Sequence, residues 1–404
     1  MLSGLRVLDL CDESGWLAGK ILADLGADVI KIEPPGGDRE GRRPPWLHGV
    51  ADPERSLAWL ALNTSKRGIT LDLAHPSGRG VFLRLVAGAD VVLESYAPGR
   101  LAQWGLDYEA LRRDRPGLVH CAITPFGTTG PHAAFRARDL VVVAMGGNAG
   151  LTGDPERPPV RCSLPTAYYH AAPEAVLGIL MALHARESTG LGDFVDVSLQ
   201  ECQLATLIGG PGMHASAERA PRRSGARTGR TREIWPVRDG HVSFGLRGGA
   251  ARVPGLRALV AWMDEEGHAP RWLRDYDWEG FRPEELDAAE LARLEQAFGA
   301  FFASLGMREL YEGALKRRVL LAPCNDAREV IDQRQLRERG LFVTIDYPHL
   351  GAAIEHPGFF ARSDVQATAI RRRAPRIGEH NDEVYRELGL GPAELEKLAG
   401  EGVV

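Results

Sequence analysis

The sequence predicts an α/β protein in which a Rossmann-like large domain accompanies a smaller α+β domain. Three observations carry that prediction. Short apolar runs alternate with segments of helical apolar spacing through residues 6–123. The stretches Leu25–Glu33 (LGADVIKIE) and Ala87–Ser95 (AGADVVLES) read as one helix-to-strand junction used twice. Residues 216–232, rich in arginine and nearly free of apolar side chains, then separate this half from a helical, acidic one.

The elements follow in order. Arg6-Val7-Leu8-Asp9-Leu10 is a short strand. Trp16 to Gly26 sets Leu17, Ile21, Leu22 and Leu25 at helical spacing and stops on glycine, and Asp28–Glu33 is the next strand. Helix Pro76–Ala87 leads to strand Ala89–Glu94, and helix Asp107–Arg113 leads to strand Leu118–Ile123. Such alternation implies a parallel sheet. The first strand-to-helix turn, Cys11-Asp12-Glu13-Ser14-Gly15, is not GxGxxG, which argues against a dinucleotide site of the NAD type. Further on, Asp239-Gly240 turns into strand His241–Gly245, and helical text continues to around residue 320. Residues 339–351 and those from Pro357 return to short strands and loops. Helix Asn381–Leu388 and a short helix from Pro392 close the chain.

Composition narrows the function classes. With 404 residues and 44% hydrophobic content the chain can bury a large core. A net charge of -5 calls for no nucleic-acid surface, and no apolar run is long enough to cross a bilayer. The start, Met1-Leu2-Ser3-Gly4, runs into a strand pattern without signal-peptide architecture. Cys11, Cys121, Cys162, Cys202 and Cys324 are scattered and never form CxxC. This fits a reducing cytoplasm and gives no disulfide framework and no metal site.

Six segments, in order, resemble the family III CoA-transferases, the CaiB/BaiF type. They are GLRVLDL with ILADLGADVIKIEPPGGD, LNTSKRGITLDL (Leu62–Leu73), ADVVLESYAPGRLAQWGLDYEAL, ITPFGTTGP (Ile123–Pro131), GILMALHARESTGLGDFVDVSL (Gly178–Leu199) and IGEHNDEVYRELGL (Ile377–Leu390). The resemblance implies an interlocked, linked-ring dimer of two like or homologous chains. It also implies a large domain built from both chain ends. On that plan residues 1–215 form its first part, 216–235 a linker, 236–325 the small domain, and 326–404 a linker and the part that returns to the large domain.

Coenzyme A or an acyl-CoA is then the expected substrate, held without a permanent cofactor. Its phosphates call for cations or bare backbone N–H groups. Lys66 and Arg67, in a polar turn between apolar runs, suit the phosphate or adenine end. Arg39, Arg42 and Arg43 follow a Pro-Pro-Gly-Gly loop at a strand's carboxyl end, where open α/β sheets bind ligands. Ser14 in the first turn, Ser95 and Tyr96 after the next strand, and Arg100 complete the expected CoA contacts. The arginines of 216–232, among them Arg219, read as a solvated linker or as a basic lip for phosphates. Arg247, between glycines, is a candidate clamp for a substrate carboxylate.

The family's nucleophile, an aspartate that attacks the acyl-CoA thioester, is implied about ten residues before the GILMAL helix. Tyr168, or Ala167 if the gap differs by one, occupies that position, and Arg161–His170 contains no Asp or Glu. The family's racemase branch uses a histidine that falls near Arg138, and that residue is also missing. Glu174, Asp154 and a Tyr168–His170 acid–base pair are weak substitutes. The reading that follows is the aspartate-lacking subunit of a two-chain enzyme, of the kind that activates aryl-succinates. It moves CoA between an acyl-CoA such as succinyl-CoA and a carboxylic or dicarboxylic acid, beside a homologous aspartate-containing chain or its own copy. A stand-alone acyl-CoA lyase, hydratase or isomerase, or a non-catalytic CoA-binding scaffold, are the alternatives.

Overall fold

The computed structural model describes residues 1–38, 40–208, 210–217 and 221–404. The chain divides into two compact units. The first comprises Met1–Ala149, Arg161–Arg219 and Arg334–Val404; the second comprises Gly150–Val160 and Ala220–Gln333.

The first unit is built on six parallel strands: β1 (Arg6–Asp9), β2 (Asp28–Glu33), β3 (Arg67–Thr70), β4 (Val91–Glu94), β5 (Val119–Thr124) and β6 (Phe194–Ser198). Their spatial order is β3-β2-β1-β4-β5-β6. Both faces are covered, so the strands are apolar almost without alternation, as in Val29-Ile30 and Val91-Val92-Leu93. One face carries helices Trp16–Asp24 and Thr166–Thr189 over Val7, Val29, Leu93 and Ile123. The other carries Pro76–Ala87, Tyr108–Asp114, Asn381–Glu387 and Pro392–Gly400 over Leu8, Ile30, Ile69 and Val92.

The Thr166–Thr189 helix packs closely because its inner face is made of small residues, Ala167, Ala171, Ala175 and Ala182. It stops at Gly190, whose φ of 71° suits a residue without a Cβ. Its outer flank is also apolar: Leu177 is 54% and Met181 64% exposed. They border a groove of about 490 Å³ with Val195, Cys202, Leu204 and Ile208.

The C-terminal segment closes the sheet's β3 edge. Arg67 donates to Asp28 (2.6 Å), Glu383 (2.9 Å) and Glu387 (2.5 Å), and Arg6 to Glu387 (2.9 Å). Asn381 Oδ1 accepts from Thr70 N–H at 2.9 Å. An antiparallel hairpin, Phe342–Tyr347 with Ala352–Pro357, buries Tyr347 beneath the same unit.

The second unit is a three-stranded antiparallel sheet, ordered Ala322–Pro323, Gly240–Ser243, Ile234–Val237, against helices Val253–Glu265, Ala288–Ser304 and Met307–Arg317. Its core is aromatic: Trp235, Phe244, Trp278, Phe298, Phe301 and Phe302. Two features differ from the linear reading. Gly150–Val160 belongs to this unit, because Val160 N–H bonds to Thr152 and Gly153 accepts from Gly225. Within the expected linker 216–235, Arg227–Thr228 and Thr231–Arg232 pair as a hairpin, and Arg227 is held by Glu295 at 2.6 Å. Arginine-rich text is ordered here by the Arg227 ion pair and by bonds from Arg223, Arg230 and Arg232 to backbone carbonyls. Arg219 lies outside the described residues.

Candidate functional site

Strand order reverses between β1 and β4, the switch point at which open α/β sheets leave a crevice at their carboxyl ends. The turns after those strands are tied together there. Asp12 N–H donates to Ser95 Oγ (2.8 Å), Ser95 Oγ donates to Asp12 Oδ1 (3.0 Å), and Ser14 Oγ donates to the same oxygen (2.6 Å). Beside this knot opens a cleft of about 300 Å³, lined by Cys11, Asp12, Lys31, Leu71, Tyr96 and Trp104 among others. The Tyr96 ring meets Trp104 edge-on, with centroids 5.5 Å apart, and Arg100 lies over Trp104 at 5.7 Å. Ser14, Ser95, Tyr96 and Arg100 are thus brought to one place.

The expected basic contacts are not. Lys66 is fully buried, its ammonium bonded to Asp9 Oδ2 (2.7 Å), Asn63 Oδ1 (2.8 Å) and the Trp16 carbonyl (2.9 Å). Those bonds hold all its donors, so it has none left for CoA. Burial pushes the Asp9 carboxyl up, but Lys66 and Lys31 outweigh burial and hold it below the ordinary range. Arg67 is tied to the C-terminal helix as described. Arg42 is buried as well: it forms a two-point pair with Glu33 (2.9 Å each) and stacks 3.5 Å over Trp59. Arg43 pairs with Glu13 at 2.5 Å. Arg39 lies outside the described residues. Lys66, Arg67 and Arg43 have each found a carboxylate distant in sequence, and Arg42 one nine positions back, pairings that linear text does not display.

Tyr168, where the sequence reading expects the nucleophile, is 6% exposed and its hydroxyl accepts from Asp139 N–H at 3.2 Å. Burial pushes the phenol up to about 12, so it is no base at neutral pH. Asp139 opens helix Asp139–Met145, and its Oδ1 accepts from Ala167 N–H at 2.9 Å. It is a carboxylate at the first turn of the Thr166–Thr189 helix, raised by burial. The sequence reading missed it, although an aspartate before the apolar run Leu140–Val143 is a helix-start signal. His170 is half-buried, with Nδ1 unpaired among the described residues. Glu174 is exposed in the outer groove beside Cys202, on another side of the helix from Tyr168.

In the second unit Arg247 is already engaged. It donates to Glu233 (2.6 Å), Thr231 Oγ1 (2.8 Å) and the Thr228 carbonyl (3.2 Å). It braces the hairpin at 227–232, which corrects the expectation of a free clamp. Asp154 is exposed in its turn, 4.0 Å from Arg157.

Residues 2–381 match the family model described as CoA-transferase family III. The chain is 35% identical, over all of its length and 98% of the relative's, to the succinyl-CoA:(R)-benzylsuccinate CoA-transferase subunit BbsE of Thauera aromatica. It is 32% identical to the succinate–glutarate CoA-transferase of Agrobacterium fabrum, covering 96% of this chain and 95% of that one. The fold matches a CAIB/BAIF family protein from Brucella suis with a TM-score of 0.83 and 28% identity, over 96% and 98% of the two chains.

Proposed function

The chain belongs to CoA-transferase family III, and from that membership we propose that it is the subunit of a two-chain transferase that lacks the nucleophilic carboxylate. The observation that carries the reading is Tyr168. The residue is buried where the nucleophile belongs, and its hydroxyl is bonded to the amide of Asp139. A homologous chain then supplies the aspartate.

The complex moves CoA from an acyl-CoA such as succinyl-CoA to a small carboxylic acid, a dicarboxylic one by preference. The relatives named for benzylsuccinate, glutarate and L-malate support that choice. CoA lies in the cleft after β1 and β4, its base or pantetheine arm against Tyr96 and its phosphates toward Arg100. Pairing in a linked-ring dimer is supported by the apolar flank of the Thr166–Thr189 helix, where Leu177 and Met181 stand exposed.

The test is exchange of CoA between succinyl-CoA and dicarboxylic acids, by this chain alone and co-expressed with an aspartate-bearing homologue. Activity is expected only in the pair. Full activity of the chain alone overturns the subunit reading and favours a second one, in which Asp139 is the attacking carboxylate. The observation behind that second reading is its Oδ2, which accepts no hydrogen bond among the described residues. An Asp139→Asn chain that stays as active as the parent excludes it.

A further inference from the structure

β4 ends on Glu94, and the sheet face that holds its side chain changes character there. Toward β3 that face is aliphatic, with Leu8, Ile30, Ile69 and Val92. Toward β6 it is polar. The register sets Glu94 beside Ala122 and Ala122 beside Asp196. Alternation along β5 puts His120 and Thr124 on the same face, two residues to either side of Ala122. Four polar side chains surround one alanine.

Their hydrogen bonding is incomplete. His120 and Thr124 are each 1% exposed, yet both ring nitrogens of His120 and Thr124 Oγ1 lack partners among the described residues. Glu94 Oε1 lies 3.9 Å from His120 Nε2. Glu94 Oε2 accepts from Tyr96 N–H at 2.5 Å, closing the turn that presents Tyr96 to the cleft. The charged groups acting on Glu94 are Asp196 from β6 and Asp12 from the turn after β1, both acidic. From β5 it faces His120, the Cys121 thiol on the opposite face of the sheet feels its charge, and no lysine or arginine pairs with it among the described residues.

We propose that Glu94 is a positioning residue of the coenzyme cleft that acts in its uncharged form. It fixes the Ser95–Tyr96 wall through the Tyr96 amide, and its Oε1, 3.9 Å from His120 Nε2, makes no direct hydrogen bond to that ring. An unpaired negative charge at this spot is disfavoured by desolvation and by both neighbouring aspartates. Burial first, then Asp196 and Asp12 against the Tyr96 amide, lift Glu94 from an ordinary 4.5 to about 8. Burial drops His120 to about 4, so both groups are neutral at pH 7. Because the folded-state value is raised, the group's contribution to stability is complete below about 4.5 and is lost as pH rises through about 8.

The proposal rests on CoA occupying the cleft. The test is CoA binding by the paired complex from pH 6 to 9, with wild type, Glu94→Gln and Glu94→Ala, and thermal unfolding of the same proteins. Glu94→Gln mimics the neutral acid. It is expected to keep CoA affinity within twofold at pH 6 and to lose the alkaline fall in Tm that wild type shows. Glu94→Ala, measured on folded protein, is expected to weaken CoA at least tenfold. If Glu94→Gln weakens CoA at pH 6 as much as Glu94→Ala, the charge is needed and the proposal is overturned. If Glu94→Ala folds and binds as wild type, it is overturned with the CoA reading intact. A wild-type complex that binds no CoA overturns the reading itself, and the Tm profile of Glu94→Gln still decides whether Glu94 is neutral.

Discussion

Tyr168 and Asp139 hold each other at the point where two helices start: the Tyr168 hydroxyl lies 3.2 Å from the Asp139 amide, and the Asp139 carboxylate caps Ala167 at 2.9 Å. The exchange gives Tyr168 a role in the fold, whatever its role in chemistry. Tyr168→Phe leaves the Asp139 amide without its acceptor, and stability is expected to drop by about 1–3 kcal/mol in chemical denaturation. Tyr168→Asp places a carboxylate there. The single chain is then expected to gain slow exchange of label between succinyl-CoA and succinate. A folded Tyr168→Asp protein with no exchange sinks the assignment of that position.

Lys66 is expected to matter for folding and not for ligand. Lys66→Met removes the nearer cation of a buried cluster and leaves Asp9 with only Lys31, 3.6 Å away, at a cost of up to about 3–5 kcal/mol. Denaturant midpoints should report the loss, while CoA affinity of the folded complex should stay as it was. A selective loss of CoA affinity at unchanged stability contradicts the burial argument.

The apolar flank at Leu177 and Met181 is expected to be covered by the second chain. Leu177→Glu combined with Met181→Glu should abolish co-purification of the homologue while the thermal stability of the isolated chain changes little, since both side chains already face solvent. A complex that survives both charges moves the interface elsewhere.

His356 makes the hairpin acid-sensitive. It is buried, its Nε2 is 3.2 Å from Tyr347 Oη, and burial with Lys20 nearby lowers its pKa to about 4. A depressed value means stability present above the ordinary 6.5 and lost as pH falls through about 4. Wild type should lose stability across that window, and His356→Gln should lose less. Parallel curves for the two proteins exclude the assignment.

The parallel sheet was legible where punctuation is strong. Asp28–Glu33 and Pro76–Ala87 have the same bounds in text and structure, because Gly26, Pro76 and Gly88 mark the junctions. β3 was hidden: Arg67-Gly68-Ile69-Thr70 looks like a turn, and it becomes a strand only by pairing with β2. The turns that carry Ser14, Ser95 and Tyr96 were legible as strand ends that meet, since switch-point geometry follows from the alternation of elements. Lys66, Arg42 and Arg67 were not. An exposed cation and one neutralised by a partner far along the chain have the same local text, and only the three-dimensional pairing separates them.

The clasp between Arg67 and Glu383 joins residues 316 positions apart. During translation, β3 and the helix Pro76–Ala87 leave the ribosome long before Tyr385, Leu398 and Val403, the side chains that cover them. The second unit, whose main segment is contiguous, has its entire core by Gln333. The order of birth is thus the reverse of the order of completion: the middle of the chain can mature while its beginning still waits with an uncovered edge. A nascent chain of this design has reason to need a chaperone at its amino-terminal half until the final helices emerge.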